Sequence, residues 1–508
     1  MIENATLVFG PPGCGKTHFL LSKIRDALAS GIHPSRIVFV GFTRKAIREA
    51  IDRACTEFGL TEKDLPFFRT LHSLAFRSLG LSKNDMMSPD DYRTLGNDLG
   101  LELSAKAASF DDGTIIPTYD GHGAKYLFLE SRARYRGVSL EQEFNEAQDW
   151  DLHFGMLQKV QKALISYKAA MGKFDFVDLI EQYIVQCDAP HSDMVIVDEA
   201  QDLNYLQWQM VDKLFAHSTG GYIAGDDDQA IYRFAGAEVS QFINLSEDKI
   251  VLDQSYRLPH KVWELATQVT KRIKVREPKI FKPREERGDV QYHLSWDTLP
   301  LDKDYSFTIM TRVNSFMYSF ASKLEDEGFV FSIKGRSSID ETKAQVVRLW
   351  ERLQEEDELR LGEVMTLYKN VAKRGDKAAV KHGASKLLEA ADPEQFYGYD
   401  LLAKDYGLIA PLDANPLDIA QMSEREKLYY EAIKRRGIDP LQPPRIKLST
   451  FHTMKGGEDD HCVVYLGTTK ACAENDPDDE HRAFYVGITR ARDTLHILET
   501  DKRYRYEL

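Results

Sequence analysis

The sequence predicts an α/β protein of mostly parallel sheets, arranged as two α/β units that are each interrupted by a helical insertion. Three observations carry this. An apolar run, residues 6–9, meets the string GPPGCGKT (10–17) and then a helix start with apolar Phe19, Leu20, Leu21 and Ile24. A second apolar run, 194–197, ends in the acids Asp198 and Glu199. Beyond Lys249, strand-like and helix-like segments alternate, as in a largely parallel sheet.

The glycine-rich string has the order a phosphate-gripping loop requires. Without side chains at Gly10, Gly13 and Gly15, backbone N–H groups converge on a phosphate, and the next helix points its positive end at the same anion. Lys16 then reaches the β- and γ-phosphates of a nucleotide and Thr17 holds Mg²⁺. Pro11, Cys14 and His18 complete the lining, with Cys14 read as a small filler of the loop rather than a redox thiol. Asp198 is placed to ligate Mg²⁺ through its water shell, and Glu199 to orient and deprotonate an attacking water. GYIAGDDDQ (221–229) is another apolar strand ending in polar residues, where Gln229 is positioned to sense the γ-phosphate. Phosphoryl transfer also calls for a cation, worth about 10³–10⁵ in rate when arginine supplies it. Arg257 in QSYRLP and Arg490 in YVGITRAR are the candidates.

Far more residues separate Lys16 from Asp198 than one βαβ passage needs, which places a helical insertion at 81–168 inside a first unit of 1–80 and 169–248. Its stretch 126–160 carries Arg132, Arg134 and Arg136, read as a solvated helix face, with contact to a nucleic-acid backbone as the alternative. The second unit, 249–340 and 441–508, has strand candidates at 250–252, 307–310, 329–333, 446–449, 463–466 and 495–498. Between its parts, 341–440 turns to charged, 3.6-period segments, and Pro440, Pro443 and Pro444 mark the return.

Bulk properties set outer limits. At 508 residues the chain is about three to four times the commonest domain size. No apolar run is long enough to span a bilayer, and the N-terminus enters a strand at once, so no signal peptide, no membrane association and a cytoplasmic location are expected. Five cysteines without a CxxC pair suggest neither a disulfide framework nor a structural zinc. A net charge of −14 argues against a broadly basic surface. It leaves room for a nucleic acid held in a groove by a few cations and aromatic platforms.

Taken together the motifs resemble the UvrD/Rep family of superfamily 1 helicases. GPPGCGKT resembles motif I, VGFTRKA (40–46) motif Ia, RTLHSLAFRSL (69–79) motif Ib, VDEAQD (197–202) motif II and GDDDQAIYRFAGA (225–237) motif III. QSYR (254–257) resembles motif IV, TFHTMKGGE (450–458) motif V and AFYVGITRAR (483–492) motif VI, all in family order. The resemblance implies two RecA-like P-loop NTPase lobes enclosing ATP and Mg²⁺, each lobe with an inserted helical subdomain. It implies that Tyr256 stacks on the nucleotide base, that Arg257 and Arg490 contact the γ-phosphate and that Glu458 bonds the ribose. For single-stranded DNA it implies Phe42, Thr43, Thr70, His72, Tyr232, Phe234, Thr311, Arg312, Thr450 and His452. Taken as isolated residues, Tyr232 and Phe234 also fit a core. The implied activity is ATP-driven 3′ to 5′ movement on single-stranded DNA with duplex unwinding. Single-stranded DNA and its junctions with duplex are the implied partners, with a loader or single-strand-binding protein as a further one.

Several positions depart from the family pattern. Nine residues precede Gly10, where relatives carry a glutamine motif for adenine, and His18 replaces a common arginine. Phe234-Ala235 stands where tryptophan-arginine is common. Segment 468–481, where unwinding relatives have a wedge hairpin, is short, acidic and free of aromatics, and the chain ends soon after motif VI without a nuclease domain. A non-unwinding translocase or ATP-gated clamp that remodels protein–DNA complexes is therefore the alternative, and an RNA track a weaker one.

Overall fold

Alternating apolar side chains decide the first sheet. The computed structural model describes residues 2–42, 44–103, 105–109, 115–119, 122–147, 151–373 and 378–508. Strands β1 (Ala5–Phe9), β2 (Ile37–Gly41) and β3 (Phe68–Thr70) come first. An antiparallel pair, β4 (Ala105–Ser109) and β5 (Ile115–Tyr119), follows. Then come β6 (Met194–Asp198), β7 (Gly221–Gly225) and β8 (Lys249–Val251). Leu7, Phe9, Val38, Val40, Val195, Val197 and Ile223 join one apolar cluster with Trp208, Met210 and Phe215. Their neighbours Val8, Ile37, Phe39, Ile196 and Ala224 join another with Leu20, Leu21, Ile24 and Ala50. Successive strand side chains point to opposite faces, so each strand is buried twice over, as parallel strands between helices require. Each fully buried Leu or Ile stabilises the fold by about 1.5–3 kcal/mol.

The sheet runs β3-β2-β6-β7-β1-β8 with every neighbouring pair parallel. The carboxyl ends of β6, β7 and β1 therefore lie side by side, and the three loops leaving them share one edge, where ligands bind in open α/β sheets. The sequence reading gave the strand at 250–252 to the second unit. It instead pairs with β1, Leu7 opposite Lys249 and Phe9 opposite Val251. Its three residues alone carry no mark of which sheet they join; the edge of β1 left open by β7 decides it.

By packing, the chain forms two units, 1–299 with 451–508, and 300–450. In the first, helices Pro89–Leu99, His122–Arg136, Leu140–Ala147 and Phe154–Met171 occupy the predicted insertion, with the β4–β5 pair that the helical reading omitted. The helices enclose a core of Leu95, Leu127, Leu157, Val160 and Leu164. Arg134 is not on a solvated face, nor free for a phosphate backbone. It bonds Asp175 at 3.0 Å, Asp178 at 2.6 Å and Glu181 at 2.5 Å. Lys168 joins Asp178 at 2.7 Å, and burial pushes the neighbouring Glu130 carboxyl up to about 7. Arg132 and Arg136 both pair with the buried Glu143. Helical periodicity placed these arginines on one helix, but apart from Glu130, one turn before it at 3.6 Å, the acids around Arg134 come from 40 or more residues downstream. Strand β9 (Asp289–His293) closes this stretch of the first unit.

The second unit holds β10 (Phe307–Thr311), β11 (Phe331–Ile333), β12 (Arg336–Ser337), β13 (Leu359–Arg360), β14 (Phe396–Tyr397) and β15 (Ile446–Thr450). Strands β10 and β11 flank β15 in parallel, β12 turns back along β11, and β13 with β14 forms a short antiparallel ladder. Helices Glu341–Gln354, Leu361–Asn370 and Glu424–Arg435 fill the predicted second insertion. Trp350 is its buried anchor, its indole N–H on the Ala414 carbonyl at 3.1 Å.

Back in the first unit, β16 (Asp459–Tyr465) and β17 (Ala491–Leu498) run parallel to each other, and β17 runs parallel to β9. The three strands bring His461, His496 and His293 together, with His293 Nε2 3.0 Å from His496 Nδ1 and Thr298 Oγ1 3.1 Å from His293 Nδ1. Burial, then the two neighbouring rings, pull His496 down to about 4. Folded His496 stays neutral to about pH 4 while an unfolded histidine protonates near 6.5, so its share of stability is complete above about 6.5 and lost as pH falls toward 4. His496→Asn should therefore flatten the decline of the thermal midpoint across that window, by an amount corresponding to about 2–3 kcal/mol, read by calorimetry between pH 7 and 4.

Candidate active site

The loop after β1 is built around two close approaches. Gly13 and Gly15 take left-handed backbone angles, φ 71° and 80°, which a side chain would strain. A Cβ on Gly13 would lie 2.3 Å from Cβ of Arg257, and one on Gly10 would lie 2.1 Å from Cγ of Lys16. The space left by Gly13 seats the 254–257 segment: the Tyr256 amide donates to the Gly13 carbonyl at 2.8 Å and Ser255 Oγ to the Pro12 carbonyl at 2.7 Å. Lys16 Nζ donates to the Gly10 carbonyl at 3.0 Å. Pro11 and Cys14 are buried, Thr17 is half-buried and His18 exposed. Burial pushes the Cys14 thiol up to about 11, which suits a filler and not a reactive thiolate.

Strand β6 ends on Asp198, whose carboxylate accepts the Glu199 amide at 2.9 Å. Glu199 has φ 54°, a left-handed conformation rare for a side-chain-bearing residue and costing about 1–3 kcal/mol. Burial, then the adjacent Glu199, push the Asp198 carboxyl up to about 7 against the pull of Lys16. Burial would raise Glu199 as well, but Lys16, Lys455, the Gln201 hydrogen bond and Arg490 outweigh it and hold Glu199 below the usual range. Glu199 is thus ionised and faces Lys16, the state a general base needs. Gln201 holds it, donating Nε2 to Glu199 at 2.5 Å and accepting the Asp226 amide at 2.9 Å. A buried carboxyl next to an ionised one, with a threonine hydroxyl on the adjoining loop, is a hard oxygen donor set that suits Mg²⁺. Thr17 and Asp198 are the residues that would hold it.

Gln229, after β7, donates to Asp226 at 2.6 Å and accepts from Arg490 at 2.7 Å. Arg490 is buried, its other N–H groups on the carbonyls of Val486 at 2.8 Å and Gly457 at 3.1 Å. Burial and the nearby Arg257 lower its pKa. Arg257 in turn pairs with Glu458 at 2.6 Å, and Arg492 reaches the other Glu458 oxygen at 3.5 Å. The structure thus gathers Lys16, Glu199, Gln229, Arg257, Glu458 and Arg490 in one unit. All three cations rest on protein oxygens, Lys16 on a carbonyl, Arg257 on a carboxylate and Arg490 on two carbonyls and the Gln229 amide oxygen. Tyr256 offers a ring that is 72% exposed, open for stacking.

Reasoning from sequence missed the charges that make this loop cluster stable. Asp226, Asp227 and Asp228 are fully buried. Among the described residues they are the one carboxylate triplet close enough to hold a metal ion, yet the Lys279 ammonium occupies it, 3.2 Å from Asp226 and 2.9 Å from Asp228 and paired with Asp227. Arg276 adds a two-point contact to Asp228 at 2.8 and 2.7 Å. In the sequence Lys279 is one charge among many in 271–279, and nothing local marks it. Lys455, the lysine of TFHTMKGGE, was also passed over. It pairs with Asp202 and donates to the Gln229 carbonyl at 2.8 Å.

On the nucleic-acid side the rings of Phe42, Tyr232, Phe234 and His452 form a cluster. Tyr232 lies 5.3 Å from Phe42, 6.1 Å from Phe234 and 6.0 Å from His452, and Phe234 lies 5.6 Å from His452. Tyr232 is buried, as the core reading has it, and Phe234, 42% exposed, is the ring that stays open to the surface. A cavity of about 510 Å³ beside the cluster is lined by Phe42, Arg69, Thr70, His72, Tyr135 and Tyr232. Thr70 spends its hydroxyl capping helix Leu71–Ser78. His72 packs edge-on against Tyr135 and Phe176, and burial lowers it to about 4. Thr43 lies outside the described residues. Thr311, Arg312 and Thr450 belong to the second unit, where Thr311 and Thr450 pair at the carboxyl ends of β10 and β15, and the Thr311 hydroxyl is bonded to the Val313 carbonyl at 2.9 Å.

A parallel sheet with a glycine-rich loop after β1, an acidic pair at the end of β6 two strands away and a buried arginine in the same unit has the make-up of a P-loop NTPase. Residues 1–250 match the family described as UvrD/REP helicase N-terminal domain, and 342–502 match the UvrD-like helicase C-terminal domain. The chain belongs to the UvrD/Rep-like superfamily 1 helicase family, and its α/β sheets are those of RecA-like lobes. It is 25% identical to "ATP-dependent DNA helicase PcrA" of Leuconostoc citreum, over 56% of this chain and 40% of that protein. The PcrA of Bacillus subtilis (strain 168) gives the same identity and coverage. A "Probable DNA helicase II homolog" of Mycoplasma capricolum is 21% identical, over 98% of this chain and 82% of its own length. The match thus spans two fifths of the length of the PcrA relatives. Among the described residues no helix is long and apolar enough to cross a membrane.

Lys279→Met should leave three buried carboxylates short of their cation and destabilise the first unit by about 3–5 kcal/mol. Urea unfolding reads this, and adding Asp227→Asn should recover part of the loss.

Proposed function

We propose that this chain is an ATP-driven motor that steps 3′ to 5′ along single-stranded DNA and separates duplex ahead of it. The observation that carries the reading is the sharing of one short loop: Gln229 bonds Arg490 and Asp226 on the nucleotide side, and three residues on, Tyr232 enters the aromatic cluster. Lys16 takes the nucleotide phosphates in place of the Gly10 carbonyl. Glu199 accepts a proton from the attacking water. Arg257 and Arg490 neutralise the charge that builds on the transferred phosphoryl group, and Tyr256 stacks on the base. Mg²⁺ held by Thr17 and Asp198 would supply charge neutralisation at the phosphates. Phe234 gives the strand a stacking surface that any base fits, so grip is independent of sequence.

One observation favours the reading of a translocase that does not unwind. Segment 468–481, where a wedge would stand, is spent on helix Lys470–Ala473 and the start of helix Pro477–Ile488, and its Asp476 and Asp479 each bind Arg233 at 2.8 Å. An unwinding assay on a partial duplex, run beside a single-strand translocation assay, separates the two.

Lys16→Ala should abolish hydrolysis, and Glu199→Gln should lower turnover by about 10²–10⁴ with nucleotide binding retained, read by phosphate release and nucleotide titration. Phe234→Ala should weaken single-stranded DNA binding by about 1–3 kcal/mol and spare hydrolysis measured without DNA. Equal stimulation by RNA and DNA oligonucleotides would overturn the choice of DNA as track.

A further inference from the structure

The helical insertion meets the rest of the first unit at a narrow neck. Its chain enters through 85–87 and leaves through 173–174, and the two passages are pinned together: the Phe174 amide donates to the Asp85 carbonyl at 2.8 Å and the Met87 amide to the Phe174 carbonyl at 2.9 Å. On one side of the neck lies the insertion's own core of Leu127, Leu157 and Leu164. On the other, Val177, Leu179 and Ile180 of helix Phe176–Gln186 pack into the core of the first sheet.

Beside the neck a buried set of charges joins three helices. Helix His122–Arg136 supplies Glu130 and Arg134, helix Phe154–Met171 supplies Lys168, and Asp175, Asp178 and Glu181 come from helix Phe176–Gln186 and its cap. Both cations are committed to the last three acids. Glu130 is the member left over. It is 1% exposed; its Oε2 has no hydrogen-bond partner among the described residues, and its Oε1 stands 3.6 Å from Arg134, longer than a hydrogen bond. Of the other elements packed on its helix, Leu140–Ala147 turns Glu143 to Arg132 and Arg136, Tyr205–Ala216 turns Lys213 to the carbonyls of Tyr183 and Ile184, and β5 carries no charged residue.

Four carboxyls thus face two cations, and an anion at Glu130 would be both desolvated and unmatched, so this carboxyl keeps its proton. Burial raises it to about 7 against the pull of Arg134; burial acts on Asp175 as well, but Arg134 and Lys168 outweigh it there and hold that carboxyl down to about 2. Once ionised, Glu130 either draws Arg134 away from the acids of helix Phe176–Gln186 or takes in water. Both responses weaken the tie between that helix and the insertion.

We propose that this cluster is a proton-operated clamp, which locks the insertion onto helix Phe176–Gln186 while Glu130 is neutral and loosens the neck when Glu130 ionises. The clamp stands independently of the nucleotide and nucleic-acid reading. The closed form holds a proton that the open form, with an ordinary glutamate, gives up above about 4.5, so closure is favoured most at low pH and loses that support as pH rises toward 7.

The test follows hydrogen exchange of the full chain by mass spectrometry at pH 6 and pH 8, with rates corrected for the intrinsic pH dependence of exchange. Peptides from 123–136, 154–171 and 175–186 should open about tenfold more often at pH 8, the ratio produced by a group that titrates near 7 when closed and near 4.5 when open. Peptides from β1 and β6 should keep their protection. Glu130→Gln, neutral at both pH values and of nearly the same shape, should hold its pH 6 protection at pH 8; should it fail to fold, Glu130→Met, which also carries no proton to lose, gives the same readout. A wild-type chain whose three helices open equally at the two pH values overturns the clamp. So does a pH ratio that survives in the neutral variants, or one that is shared by β1 and β6 and so reports loosening of the whole unit.

Discussion

The seat of the 254–257 segment on the glycine-rich loop is the contact on which the rest of the site depends. Two hydrogen bonds, from the Tyr256 amide to Gly13 and from Ser255 Oγ to Pro12, require a bare Cα at Gly13, because any side chain there would overlap Arg257. Once that contact forms, Arg257 stands over the loop, Tyr256 projects its ring outward and Glu458 is drawn in as the partner of Arg257. The glycine-rich loop thus has a structural task of its own. It docks the segment that carries a candidate catalytic arginine.

Around this seat the first unit buries several charges in paired sets. Lys279 and Arg276 satisfy three aspartates, and Arg134 and Lys168 gather Asp175, Asp178 and Glu181. A buried charge is tolerated only when paired and hydrogen-bonded, so each set holds its loops in one arrangement rather than simply adding stability. The consequence for the site is a fixed position for the loop 226–229, from which Gln229 reaches Arg490. Lys455 leans on a carboxylate, a carbonyl and a ring drawn from two different loops.

Sequence reasoning reached the residues that sit in local strings and that the structure brings into one unit. Gly13, Gly15, Lys16, Asp198, Glu199, Gln229, Arg257 and Arg490 all lie in short motifs next to an apolar strand, and strand ends of one parallel sheet share an edge whatever lies between them. It failed where meaning depends on distant partners. Arg134 was read as solvated because most of its acids lie downstream, Lys279 was unmarked, and β8 joined the first sheet because β1 had an open edge. For Tyr232 the sequence left a core position and a DNA contact both open; its burial is set by Phe42, Phe234 and His452, which come from three separate segments.

The order of apolar strands, glycine turns and terminal acids by itself determined a parallel α/β chain with a phosphate loop, since period-2 burial and a side-chain-free loop are local properties of the residues. Which charges neutralise which, which aromatic ring remains open, and how Lys455 stands between Asp202 and Tyr232 were decided only by the tertiary structure. Electrostatic pairing and ring packing act through space between residues far apart along the chain, and no local pattern encodes them.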